Sequence, residues 1–167
     1  MAGLLLVGLV VVVLWFQPQK LFIDDEVDES LPQAEAAESD EKPPASKKEE
    51  PSEQKSPQTL AMGTFRAINH DAAGEALLLE VDGAHFLRFE NFEVENGPDL
   101  RVYLSSAPAS GDDSTFDDDF VDLGGLKGNI GNQNYRLPDD ADLDRYRSAV
   151  VWCRRFSVGF AVADLRT

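Results

Sequence analysis

One cysteine, two histidines and a shortage of basic side chains say first what this 167-residue chain is not. A lone Cys153 cannot close an intramolecular disulfide, and no Cys-x-x-Cys pair or Cys/His cluster offers the ligand spacing of a zinc site. His70 and His85 come without a Cys-x-x-Cys-His motif, so haem attachment has little support. Fifteen basic against thirty-one acidic residues leave a net charge of −16, which excludes nucleic-acid binding through phosphate contacts. Such acidity favours solubility and suits cationic partners, but it does not choose a fold. No Ser/His/Asp set sits in a catalytic motif, and no phosphate-loop spacing precedes a helix, so no enzyme class is indicated.

Three segments differ in their physics. Residues 3–16 contain only Leu, Val, Gly, Trp and Phe. The run is shorter than the roughly 20 apolar residues of a bilayer span, and Leu21-Phe22-Ile23 would extend it. A cleavable signal peptide would carry a basic start and a small-x-small cleavage site, both missing, and a buried helix would show polar periodicity. Residues 1–23 are therefore expected to be a transmembrane signal anchor, with the domain that follows on the extracytoplasmic side. Residues 24–58 are acidic and rich in Pro, Glu and Lys, with no aromatic residue. They cannot bury enough apolar surface to offset the entropy of ordering, so a disordered linker is expected.

From residue 59 to 167 short alternating segments are separated by turn residues. The pattern predicts strands over Gly63–Ile68, Glu75–Val81, His85–Phe89, Leu100–Ser105, Phe120–Leu123, Tyr135–Leu137, Ala149–Cys153 and Ser157–Val162. Asp82-Gly83 is a hairpin signal. Only Asp142–Arg147 suggests a helical turn. The expected fold is all-β, an antiparallel β-sandwich or a barrel-like domain.

The candidate chemistry has competing interpretations. Cys153 stands beside Arg154 and Arg155, and cations next to a thiol favour thiolate, the redox-active form. Strand alternation, however, puts Cys153 on the same face as Val151, which suits a small buried side chain. The run from Leu123 to Tyr135 holds four glycines and three asparagines and would cradle an anion with Lys127, or form a structured loop whose amides satisfy one another. Candidate binding residues are Lys127, Asn129, Asn132, Gln133, Asn134, Tyr135, Arg154 and Arg155. Asp112, Asp113, Asp117, Asp118 and Asp119 offer oxygen ligands but lack the ordered spacing of a calcium loop, so a solvated acidic loop is favoured. Haem held by His70, His85 or Met62, and Ca²⁺ at the acidic loop, are the weakest cofactor expectations.

Five motifs occur in order: Gly63-x-Phe65; His70-x-x-x-Gly74; Gly97-Pro98-Asp99-Leu100-x-Val102-Tyr103-Leu104; Leu123-Gly124-x-Leu126-Lys127-Gly128-Asn129-x-Gly131-Asn132-Gln133-Asn134-Tyr135-x-Leu137-Pro138; and Val151-Trp152-Cys153-x-x-Phe156-x-Val158-x-Phe160-x-x-Ala163-x-Leu165. Together, over residues 63–167, they resemble the DM-thirteen domain. The resemblance implies an extracytoplasmic β-rich module, met beside DOMON and b-type cytochrome domains and in bacterial membrane-anchored proteins. It further implies a redox or electron-transfer role centred on the cysteine that corresponds to Cys153, with an unnamed redox or protein partner. The alternative is a non-catalytic binding or adhesion module that uses the Gly/Asn-rich and acidic loops, with Cys153 buried.

Overall fold

Nine strands are hydrogen-bonded into one continuous sheet in a computed structural model that describes residues 24–33 and 56–166. They are β1 (Glu26–Asp28), β2 (Gln58–Ala67), β3 (Ala72–Val81), β4 (Ala84–Val94), β5 (Leu100–Ser105), β6 (Phe120–Gly125), β7 (Ile130–Arg136), β8 (Ser148–Cys153) and β9 (Val158–Asp164). The order across the sheet is β1-β7-β4-β3-β2-β9-β8-β5-β6. All pairs are antiparallel except β1 with β7, so the sheet is mixed. The all-β expectation holds in the barrel-like form. A sandwich would need two separate sheets, whereas here β2 pairs with β3 up to Thr64 and with β9 from Phe65. That change of partner folds the sheet over into a half-barrel. Register shifts in the β2/β3, β3/β4, β4/β7, β5/β6 and β8/β9 pairs add local twist to the curl.

Alternation along the strands sends one set of side chains inward. Phe65, Phe89 and Phe92 meet with ring centroids 4.7 to 4.9 Å apart, and Tyr135 lies 5.4 Å from Phe89. Leu87, Val102, Leu104, Val151, Cys153 and Ala161 complete the same interior, all at 0% exposure. The outer face of β5, β8 and β9 is buried as well. The connection from β5 to β6 folds across it and packs Ala109 and Phe116 against Tyr103, Val150, Trp152 and Val162. Every residue of β8 is therefore buried, which accounts for the apolar run Ala149–Cys153 and for the Ser148 hydroxyl donating to the Ala107 carbonyl at 2.8 Å.

Turn chemistry agrees with the sequence where it is most constrained. Asp82 and Gly83 both adopt positive φ, 48° and 83°, as a two-residue primed hairpin requires. Asp142–Arg147 makes only a turn closed by the Arg145 N–H on the Asp142 carbonyl. The structured 3₁₀ turn lies instead at Asp113–Thr115, inside the acidic connection.

Two expectations about the amino-terminal third change or stand apart. The linker was expected to begin at residue 24, yet β1 lies within it and pairs with β7, with Glu26, Val27 and Asp28 opposite Ile130, Gly131 and Asn132. Polar and backbone contacts hold this segment, so its lack of apolar residues did not prevent ordering. Residues 1–23, where the anchor is expected, and 34–55 lie outside the described residues. Among the described residues no helix is long and apolar enough to cross a membrane. Truncating an interior aromatic tests the packing: Phe89→Ala should cost about 3–5 kcal/mol in urea unfolding. Phe156→Ala, on the 68% exposed side chain of the β8–β9 turn, should stay within about 0.5 kcal/mol.

Candidate functional site

Cys153 ends β8, where it stands opposite Leu100 on β5 and Val158 on β9. Its side chain points into the half-barrel and is 0% exposed. Arg154 and Arg155 begin the β8–β9 turn and are exposed. Arg154 is anchored to Asp99, Nε to Oδ2 at 3.0 Å, and its N–H donates to the Asp99 carbonyl at 3.0 Å. The two arginines therefore leave the strand at the point where the cysteine turns inward. Of the two readings open for Cys153, the structure bears out the buried one: the side chain is packed as the alternation with Val151 implies.

The other candidate residues do come together, on and beside β7. Ile130–Arg136, expected to be largely loop apart from its last two residues, is a strand paired with β4 on one side and β1 on the other. At its centre is Gln133, 0% exposed. Its Oε1 accepts from the Tyr135 hydroxyl at 2.5 Å and from the N–H groups of Lys127 and Gly128 at 3.2 and 3.3 Å. Its Nε2 donates to the Gly128 carbonyl at 2.9 Å. One buried amide thus stands in for a missing strand across the 127–128 turn and satisfies groups that would otherwise be stranded. The Tyr135 hydroxyl also accepts the Lys127 N–H at 3.1 Å. Burial pushes the Tyr135 phenol well above its ordinary value, so it remains a donor to Gln133 throughout the neutral range.

Upon this frame the side chains of Lys127, Asn129, Asn132 and Asn134 hold residues 24–30. Asn129 accepts the Asp25 N–H at 2.7 Å and donates to Asp24 Oδ1 at 2.9 Å. Asn132 donates to Asp28 Oδ1 at 2.7 Å, and Asn134 donates to the Ser30 carbonyl at 2.8 Å. Glu29 accepts from Lys127 Nζ at 2.7 and 3.0 Å and from the Asn134 N–H at 2.7 Å. Lys127 Nζ also lies 5.3 Å from the Tyr135 ring centroid, within cation–π range.

Arg88 on β4 was not foreseen. It is 5% exposed, pairs with Glu90 at 2.7 Å, and donates to the carbonyls of Glu29 and Ser30 and to Asn134 Oδ1. The available signal was an arginine inside an otherwise apolar strand, His85-Phe86-Leu87-Arg88-Phe89. Its partners Glu29 and Ser30 lie in the low-complexity acidic tract, which hides them from a reading of composition.

The acidic connection and the histidines serve structure. Asp113 accepts the Gly159 N–H at 2.8 Å and the Asn69 amide at 3.0 Å, tying the covering segment to β9. Asp119 is held below its ordinary pKa, first by the Ser106 hydrogen bond and then by that of Arg145. His70 stacks on Phe160 with centroids 3.7 Å apart, and its Nδ1 lies 2.6 Å from Glu95. His85 pairs with Glu80 at the far end of the β3–β4 ladder, whereas His70 precedes Ala72 at the near end. At ~3.3 Å per residue the two are roughly 25 Å apart and cannot share a haem iron. Met62 is 47% exposed. Among the described residues no group of three His, Cys, Asp or Glu side chains is arranged to hold a metal ion.

Two measurements check the network. Gln133→Leu leaves the Gly128 N–H and carbonyl and the Tyr135 hydroxyl without their partner and should cost about 1–3 kcal/mol in urea unfolding. Burial raises the Glu29 pKa, but the Lys127 hydrogen bond, the Asn134 amide and the charges of Lys127 and Arg88 outweigh it and leave it below 4.5. A carboxylate lowered in this way stabilises the docked segment above its free value and loses that contribution as pH falls through the docked value. In NMR titrations the Glu29 and Asn134 resonances should move together with a midpoint below 4.5. A midpoint at or above that value would contradict the pairing.

Searches of curated proteins and of solved structures returned no match. A family model described as Electron transfer DM13 matches residues 64–165, from within β2 to just past β9, and leaves β1 outside. On that match over most of its length, the chain belongs to the Electron transfer DM13 family.

Proposed function

We propose that this protein is an electron-transfer module, tethered to a membrane by residues 1–23 and working on the extracytoplasmic side with a separate redox partner. The observation that carries the reading is the family match over residues 64–165, from within β2 to just past the end of β9. The apolar run at residues 3–16 supports the tether. Within the domain, Cys153 is the one thiol available for one-electron chemistry. Its enclosure protects it from alkylation and disulfide exchange, which need direct access to sulfur, whereas an electron does not need an open path.

A second reading, a non-catalytic binding or adhesion module, is favoured by the same burial, because Cys153 packs as an ordinary interior side chain. The two readings part at the cysteine. Wild type and Cys153→Ala, matched for folding by circular dichroism, are titrated with a soluble one-electron oxidant such as ferricyanide. The redox reading expects wild type to consume oxidant that Cys153→Ala does not. Equal consumption removes Cys153 from the chemistry and selects the binding module. Maleimide labelling of Cys153 should be absent in the folded protein and complete after denaturation. Labelling at a free-thiol rate without denaturant would contradict the buried geometry.

A further inference from the structure

The candidate binding residues on and around β7 are already occupied, and the occupant is the chain itself. Residues 24–30 lie along the edge of β7, with Glu26–Asp28 as a parallel strand, and the edge is shaped for them. A Cβ added at Gly128 would fall 2.4 Å from the Asp25 carbonyl oxygen, and one at Gly131 only 2.0 Å from that of Val27. Gly131 also has φ of 105°, a conformation open to glycine at little cost. Between and beyond these glycines, Asn129 reads Asp24, Asn132 reads Asp28, Asn134 reads Ser30 and Lys127 reads Glu29. The spacing of the Gly/Asn run thus matches an extended acidic strand: clearance for its backbone alternates with amides and one ammonium for its side chains.

We infer that the β7 edge is a receptor for an extended acidic segment, and that its intermolecular occupant is residues 24–30 of a second copy of this chain. Three observations carry this. The segment's ladder joins it to β7 alone, and its further hydrogen bonds go to β7, β4 and the short segments at their ends. It is joined to β2 only through the connection from residue 31 to residue 57. The same contacts can therefore be made by an identical segment from another molecule, the low-cost exchange that underlies domain swapping. The charges are complementary as well: Lys127 is the only lysine after Lys55 in a chain of net charge −16, and it faces the glutamate of the segment. In a single molecule the covalent tie gives the chain's own segment the advantage of effective concentration. Exchange becomes visible when the internal pairing is broken. The inference stands whichever reading of Cys153 holds, since none of its residues touches that thiol.

Full-length Lys127→Glu and Glu29→Lys variants test it. Each alone has a mismatched internal pair, two acids or two cations. Mixed in equal amounts, each chain's segment matches the other's receptor, so sedimentation should show a heterodimer, while the double variant Lys127→Glu/Glu29→Lys should be monomeric. A second measurement does not depend on the folding of Lys127→Glu. A fluorescent peptide of residues 24–33 should bind Glu29→Lys about tenfold more tightly than a scrambled peptide of equal charge, the margin expected of register-specific charge-assisted hydrogen bonds. Gly128→Ala added to that chain should abolish the binding. A mixture that stays monomeric although both variants are folded, or a scrambled peptide that binds equally well, would overturn the inference.

Discussion

A sheet that curls around its own side chains without closing must deal with its free edges, and much of this molecule follows from how one of them is satisfied. Strand β7 has β4 on one side; the backbone groups on its other side need partners or water. The chain supplies a short parallel strand from an acidic segment that carries almost no apolar residues. Hydrophobic burial cannot hold such a strand, so its retention depends on hydrogen bonds and charge. That requirement explains Asn129, Asn132 and Asn134 on one short stretch, the glycines that let the second backbone approach, and the arginine and lysine that meet Glu29 and its neighbours. Gln133, fully enclosed below them, braces the turn from which Lys127 projects.

The domain is organised in depth around this edge. The interior of the half-barrel gathers Phe65, Phe89 and Phe92 on the β2–β4 side, while β5 and β8 line it with Leu100, Val102, Leu104, Ala149, Val151 and Cys153. The second side is covered on its outer face by the connection before β6, with Phe116 as the apolar anchor and Asp113 as the polar one. Cys153 sits at the end of the strand enclosed on both faces. Its strand partner Leu100 accepts a hydrogen bond from the Leu126 N–H at 2.9 Å, one residue before Lys127. The thiol and the segment-binding turn thus flank one residue at the same end of the molecule, one facing inward and the other outward.

What the sequence disclosed follows from which forces it encodes locally. Strand β5 was legible over Leu100–Ser105 because alternation and the preceding Pro-Asp turn agreed. Cys153 was legible as an inward side chain from its spacing to Val151. Strand β7 was not, since Gly and Asn are poor strand formers in isolation; pairing on both sides overrides that preference. Strand β1 was hidden for a related reason. Composition predicts whether a segment can bury apolar surface, not whether another part of the chain carries amides at the right spacing to hold it. The covering segment was obscured by its own acids, with Phe116 lying between runs of aspartate that suggest solvent.

The enclosure of β8 has a consequence for how the molecule opens. A strand paired on both edges and covered on both faces can exchange its amide hydrogens only when the sheet as a whole comes apart, so its protection reports global unfolding. Strand β1, three residues long at the rim, opens by releasing one ladder. The molecule therefore has two levels of opening, a shallow one at its margin and a deep one at its centre. The cysteine lies at the deeper level, and its sulfur meets solvent on the timescale of complete unfolding.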